Sequence, residues 1–209
     1  MIAAEVVVVI VAAGAGRRLG GVAKALLRAP GADQDAARTA DGPTFLARIA
    51  ATAAGAGAGR AVVVVGPPHG ERVAEEARRL GLDLAHNPDP DRGMSSSVAI
   101  GFAHCERHFA TAAAALLWPV DHARVSLATV AGLIAGAAAD PAGVVIPTWR
   151  GRGGHPTWFG RALWGELAAC AGLPRGARSV VDAAGARVRR LEVADPGVVA
   201  DVDHPADLG

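Results

Sequence analysis

The chain has only two cysteines, Cys105 and Cys170, which lie far apart and form no C-x-x-C pair. That scarcity excludes a disulfide framework and a zinc knuckle. It also lacks a surplus of charge of either sign: 21 basic residues against 20 acidic ones leave a formal net charge of +1. Neither a nucleic-acid-binding face nor a membrane-binding face follows from such a balance. No basic segment precedes the first apolar run, Glu5 interrupts its approach, and a glycine-rich turn comes too soon for a membrane span. The run is therefore expected to be a core strand rather than a signal peptide, in a cytoplasmic protein. At 209 residues, one domain over 1–209 with one sizeable core is expected.

What is present is a buried strand that breaks into a cationic loop. Residues 6–11 read Val-Val-Val-Val-Ile-Val, without the alternation of a half-exposed strand. Ala12, Ala13, Gly14, Ala15 and Gly16 follow, then Arg17, Arg18, Leu19, Gly20, Gly21 and, slightly further, Lys24. Small residues let a ligand approach the backbone, and exposed N–H groups beside cations suit phosphates. Two familiar phosphate loops fit poorly. The dinucleotide fingerprint G-x-G-x-x-G requires a third glycine where Leu19 stands, although Asp33 and Asp35 lie near the place of a ribose-binding carboxylate. The Walker loop requires Gly-Lys-Ser/Thr after its spacer, and here Val22 and Ala23 follow Gly21.

Apolar runs at 5–12, 60–65, 82–86, 113–117 and 143–147 alternate with helical periodicity at 44–54, 71–80, 96–108 and 126–139. Such alternation predicts a mostly parallel sheet with helices on both faces. Ligands then sit beyond the carboxyl ends of the strands. That rule selects residues 14–17, the turn at Gly66, Pro67 and Pro68, residues 87–97, and residues 119–124. The polar stretch 31–41 has no period and reads as a loop beside the phosphate site.

Four later segments carry chemistry. In 87–98 a Pro/Gly turn precedes Ser95, Ser96 and Ser97, which are expected to cap a helix and offer hydroxyls to a base, ribose or phosphate. In 116–122 Asp121 emerges just after a strand, where a hard cation bridging phosphate oxygens would be held; the plainer alternative is a cap for the helix near Ser126. In 149–159 glycines predict a turn between two extended arms that presents His155 with Arg150 and Arg152, a surface for an anionic acceptor with a flat ring, or else a simple hairpin. In 200–208 Asp201, Asp203 and Asp207 crowd together, the first two spaced as on one face of a strand, so that one could complete a metal site with Asp121. A fifth pattern, His104 and His108 around Glu106, lacks the zincin order and a third ligand, and reads as the outer side of an amphipathic helix.

Together, Ala12-Ala13-Gly14 to Arg17, Gly20, Lys24, Gly93-Met94-Ser95-Ser96-Ser97, Gly154-His155-Pro156 and residues 201–208 resemble the molybdenum cofactor cytidylyltransferase branch of the nucleotidyltransferases, from the first strand to the C-terminus. The resemblance implies a Rossmann-like three-layer α/β/α sandwich of the nucleotide-diphospho-sugar transferase type. It implies Mg²⁺ and transfer of a nucleoside monophosphate from an NTP to molybdopterin, with pyrophosphate released. Ala13 in the deciding position favours CTP over GTP. The implied nucleotide site comprises Ala12, Ala13, Gly14, Ala15, Gly16, Arg17, Lys24, Pro67, Ser95, Ser96 and Ser97, with Arg17, Lys24 and Asp121 catalytic. Asp121 and Asp203 would hold the metal, and Arg152, Gly154 and His155 the acceptor. A transient contact with a molybdoenzyme or its chaperone would pass on the product. Two departures from the family pattern bear on the acceptor: Gly-Asp-x-Pro reads Val120-Asp121-His122-Ala123 here, and the stretch between Lys24 and Thr44 reads as an insertion. A transferase for a sugar phosphate would differ only around 150–160, while a non-catalytic nucleotide sensor or NAD-binding module would not need Asp121 and Asp203.

Overall fold

All six residues of β1 (Val6–Val11) are buried. The strand pairs in parallel with β2 (Arg60–Val65) on one edge and β4 (Ala114–Pro119) on the other. A strand so enclosed has no polar face to supply, which is why its sequence does not alternate. The computed structural model describes residues 5–28, 42–137 and 142–208. The loop expected at 31–41, with Asp33 and Asp35, and the end of the helix expected at 126–139 lie outside the described residues.

The sheet runs β3-β2-β1-β4-β7-β5, where β3 is Asp83–His86, β7 is Thr157–Gly160 and β5 is Val144–Trp149. Two further strands pair β5: β6 (Arg152–Gly153), antiparallel, and β8 (Val188–Glu192), parallel. Because β7 and β8 both partner Val144 and Val145, they flank β5 on opposite edges. The sheet is thus mostly parallel but mixed, since β7 runs antiparallel to β4 and β5. Sequence periodicity gives no sign of β7, β8 or the two short helices α5 (Trp164–Ala168) and α6 (Ala177–Ala184).

Alternate β1 residues face opposite layers. Val6, Val8 and Ile10 pack with α1 (Phe45–Gly55), α2 (Gly70–Arg79) and α4 (Leu127–Ala137), through Leu46, Val73 and Leu133 among others. Val7, Val9 and Val11 pack with α3 (Met94–His108), α5 and α6, through Phe102, Trp164 and Val180. This is the three-layer α/β/α sandwich. Among the described residues no helix is long and apolar enough to cross a membrane. His104 and His108 pack together on α3 with ring centroids 4.3 Å apart, His104 also against Phe109, and among the described residues no third ligand joins them.

α3 lies directly on the sheet because residue 101 is glycine. A Cβ there would meet Val9 Cγ1 at 2.4 Å and Val64 Cγ2 at 3.0 Å. Alanine would gain about 1 kcal/mol of helix propensity, but overpacking between two stiff, buried valines costs about 1–3 kcal/mol. Gly101→Ala is therefore predicted to lower unfolding free energy by about 1 kcal/mol in urea titration, overpacking outweighing propensity. A more stable variant would contradict this close approach.

Candidate functional site

Beyond the carboxyl ends of β1 and β4 lies a cleft of about 490 Å³. The loop that forms one wall is shaped by Gly16, whose φ is +60° and whose Cβ would fall 2.0 Å from the Val22 carbonyl oxygen. Only glycine permits this fold-back. The Gly16 carbonyl accepts from the N–H groups of Leu19 (2.9 Å) and Gly21 (3.0 Å), and Leu19 buries its side chain in the core. The residue that breaks the dinucleotide fingerprint is thus the anchor of the turn. Ala12, Ala13, Gly14, Ala15, Gly16, Arg17, Arg18 and Lys24 line the cleft.

Lys24 Nζ donates to Asp203 Oδ1 at 2.5 Å and to Asp121 Oδ2 at 3.1 Å, and Arg18 binds the other Asp203 oxygen at 2.5 Å. Burial alone would lower the lysine pKa, but its bonds to Asp203 and Asp121 outweigh that and raise it. The Lys24 hydrogen bond holds the Asp203 carboxyl below its ordinary value. Both acids reach the cleft from defined positions. Asp121 follows β4 in a turn tied by Trp118 Nε1 donating to the His122 carbonyl (3.0 Å). Asp203 follows Val202, which is fully buried and whose N–H bonds to the Asp121 carbonyl (3.2 Å). No strand forms at 201–203, contrary to the sequence expectation, yet this bond and the buried valine still leave Asp201 and Asp203 both lining the cleft. Asp207 instead has a structural task, accepting from the N–H groups of Asp203 (3.0 Å) and His204 (2.7 Å). Nor does Asp121 cap α4: Ser126 Oγ accepts from the Thr129 N–H at 3.3 Å, and Asp195 holds that turn by accepting from Ser126 N–H at 2.9 Å.

The serine turn also differs from expectation. α3 begins at Met94, and its N-cap is Gly93, so the three serines lie inside the first turn. Asn87 Nδ2 donates to Ser96 Oγ and Ser97 Oγ, each at 2.8 Å, which explains two hydroxyls by a buried scaffold contact rather than by a cap. Ser97 still lines the cleft, while Ser95 lines a second, adjoining cavity of about 360 Å³. Gly154 lines that second cavity and His155 lines both. Ser96, Pro67 and Arg152 line neither. The hairpin foreseen at 149–159 is present as β5 and β6, with Arg150 in the left-handed region and stacked on Trp149. Asn87, Asp195 and His122 are not singled out from the sequence; of these only His122, beside Asp121, has a local signal.

Asp121 Oδ1 is buried without a hydrogen-bond partner, an acceptor that a cation would satisfy. Among the described residues no group of three or more His, Cys, Asp or Glu is assembled to hold a metal. Two carboxylates completed by substrate phosphates is how Mg²⁺ is commonly bound, so the residues present fit such an ion. His122 and His155 pack with ring centroids 5.0 Å apart. Burial, with His122 adding to it, pushes His155 down to about 4, and burial likewise lowers His122. His155 is therefore a neutral side chain at pH 7. In the unfolded chain it titrates near 6.5, so between about 6.5 and 4 the unfolded state binds more protons. Its stabilising contribution is full above 6.5 and lost as pH falls toward 4. Urea midpoints measured from pH 7.5 to 4.5 should fall on acidification, and less steeply in His155→Gln; an unchanged slope would contradict the buried neutral histidine.

The sequence profile of the MobA-like NTP transferase domain matches residues 8–191. No curated protein sequence matches the chain. Solved structures do. Rv0371c from Mycobacterium tuberculosis H37Rv is 28% identical, with 99% of this chain and 96% of that chain covered and a TM-score of 0.74. A structure of Rv0371c in complex with manganese aligns at 25% identity over 97% of this chain and 95% of that one, TM-score 0.68. Molybdopterin-guanine dinucleotide biosynthesis protein A from Archaeoglobus fulgidus, at 16% identity, 97% and 94% coverage and a TM-score of 0.64, shares the fold. The chain belongs to the MobA-like NTP transferase family and is a nucleotidyltransferase.

Proposed function

We propose that this protein transfers CMP from CTP to molybdopterin, releasing pyrophosphate, with Mg²⁺ as its ion. The observation that carries the reading is the convergence of Arg17, Arg18, Lys24, Asp121 and Asp203 on one cleft at the carboxyl ends of β1 and β4. The small residues from Ala12 to Gly16 let the base and phosphates approach the backbone. Ala13 favours cytosine over guanine by the family resemblance. Arg17 and Lys24 neutralise the β- and γ-phosphates, and Ser97 offers a hydroxyl from the opposite wall.

Asp121 and Asp203 would hold Mg²⁺, which when bound supplies charge stabilisation at the α-phosphate. The manganese in the Rv0371c complex supports a divalent ion in this family. Binding requires Lys24 to move from the carboxylates toward the phosphates, an exchange of one cation for another at Asp121 and Asp203. An oxygen of the acceptor phosphate then attacks the α-phosphorus. A new P–O bond forms, the bond to the α–β bridging oxygen breaks, and its electron pair leaves with pyrophosphate. The acceptor is already an anion, so no general base is needed. Neutral His155, at the junction of the two cavities, orients the acceptor rather than taking a proton. Hand-over of the product to a molybdoenzyme or its chaperone would complete the task.

A pyrophosphate-release screen with four NTPs and Mg²⁺, with and without molybdopterin, tests the reading. Release with CTP only when molybdopterin is present is expected; NADH binding without any pyrophosphate release would overturn it. Asp121→Ala should abolish the metal-dependent release, and Lys24→Ala should raise KM for CTP by about tenfold or more, the loss of a charge-assisted phosphate contact. Normal turnover by Asp121→Ala would sink the metal assignment.

A further inference from the structure

The cavity of about 360 Å³ shares two walls with the nucleotide cleft, Met94 and His155. Its remaining lining has two characters. Val98, Leu117, Ile146, Phe159 and Val181 make an apolar surface. Arg175, Arg178 and Arg190 line this cavity and not the cleft, whereas Arg17, Arg18 and Lys24 line the cleft and not this cavity. The two spaces therefore carry separate sets of cations. No Asp or Glu is among the residues lining the second one.

The arginines are not neutralised in pairs. Arg175 (2.7 Å) and Arg178 (3.7 Å) share the single carboxylate of Asp182. Arg190, on β8, has no ion-pair partner among the described residues. Three guanidiniums and one carboxylate leave an excess of positive charge at an apolar hollow. Guanidinium forks match phosphate and carboxylate oxygens, and an apolar wall beside them suits a flat or hydrocarbon body.

We infer that this second cavity is the acceptor pocket, and that Arg190, with Arg178 and Arg175, reads an anionic group on the acceptor distinct from the triphosphate. The inference rests on the nucleotidyl-transfer reading, which makes the adjoining cleft the source of the reacting phosphorus. The shared walls at Met94 and His155 mark where the acceptor meets the nucleotide. The arginines stand on the unshared part, so the pocket selects a small acceptor with an apolar or flat body and a phosphate or carboxylate. Arg152, exposed on β6, lies outside this pocket; Arg190 on β8, across β5 from it, takes the role that the family resemblance gave to Arg152.

The test titrates the whole protein with phenyl phosphate and, separately, with benzoate, following arginine Nε–H resonances by NMR. Each titration is run with and without saturating CTP and Mg²⁺. Saturable binding of one or both probes that persists with the triphosphate bound is expected, and the stronger probe identifies phosphate or carboxylate. Arg190→Gln should weaken it about tenfold, the loss of one charge-assisted contact, and Arg178→Gln should weaken it in the same direction. Unchanged urea midpoints would show that both variants fold. Binding of neither probe, or binding abolished by the triphosphate and indifferent to Arg190→Gln, would overturn the proposal. Failure of the wild-type protein to bind any NTP with Mg²⁺ would strike the transfer reading instead, and leave the anion pocket to be judged by the probe titrations alone.

Discussion

The ammonium of Lys24 joins three parts of the chain that are remote in sequence. It stands at the end of the N-terminal loop, its partner Asp121 follows β4, and Asp203 lies near the C-terminus. All three side chains are mostly withdrawn from water, with side-chain exposures of 17%, 18% and 26%. Two carboxylates brought together there would repel each other, and a lone lysine would bear an uncompensated desolvation cost. Each charge is tolerated because the others are present. The cluster therefore requires the β1 loop, the β4 turn and the C-terminal segment to close on one another, and that closure forms the cleft.

The backbone supports this arrangement by simple means. β1 and β4 are adjacent and parallel, so their carboxyl ends, and the loops that follow, open at the same edge of the sheet. Gly16 turns the first loop back on itself and Leu19 pins it to the core. The Val202 N–H bond to the Asp121 carbonyl fixes the last segment against the β4 turn. On the other face, Gly101 lets α3 settle on Val9 and Val64, and the first turn of that helix supplies Met94 and Ser97 to the cleft. Packing of the core and placement of the charges are thus the same event.

Legibility in the sequence follows burial. β1, β2 and β4 are hydrophobic runs because they are enclosed on both faces, and the rule for sheet edges then led to Arg17 and Asp121, while Lys24 stood out among the cations of the loop after β1. β8 was not legible: Val188-Arg189-Arg190-Leu191-Glu192 lacks a strand's alternation, and its two arginines and glutamate make it read as surface. β7 has four residues and α5 five, too few for any period to show. The three serines looked like excess hydroxyls awaiting a ligand; two of them hold Asn87, whose position at the end of β3 gives no local signal. Asp203 was one of three candidate acids, and only the tertiary contacts separate it from Asp207, which binds backbone N–H groups instead. Arg175, Arg178 and Arg190 are ordinary surface residues in the sequence, and acquire a common cavity only where α6, the residues just before it, β8 and the first turns of α3 line one hollow.

In the proposed reaction Asp121 and Asp203 give up Lys24 to a divalent cation that arrives with the nucleotide. Electron paramagnetic resonance of Mn²⁺ titrated with the protein, in the presence and absence of CTP, measures this most directly. Wild-type protein should bind Mn²⁺ far more tightly with CTP than without it, and Asp121→Asn combined with Asp203→Asn should lose that nucleotide-dependent binding. Equal CTP-dependent binding of Mn²⁺ by the doubly substituted protein would rule out this exchange at Asp121 and Asp203.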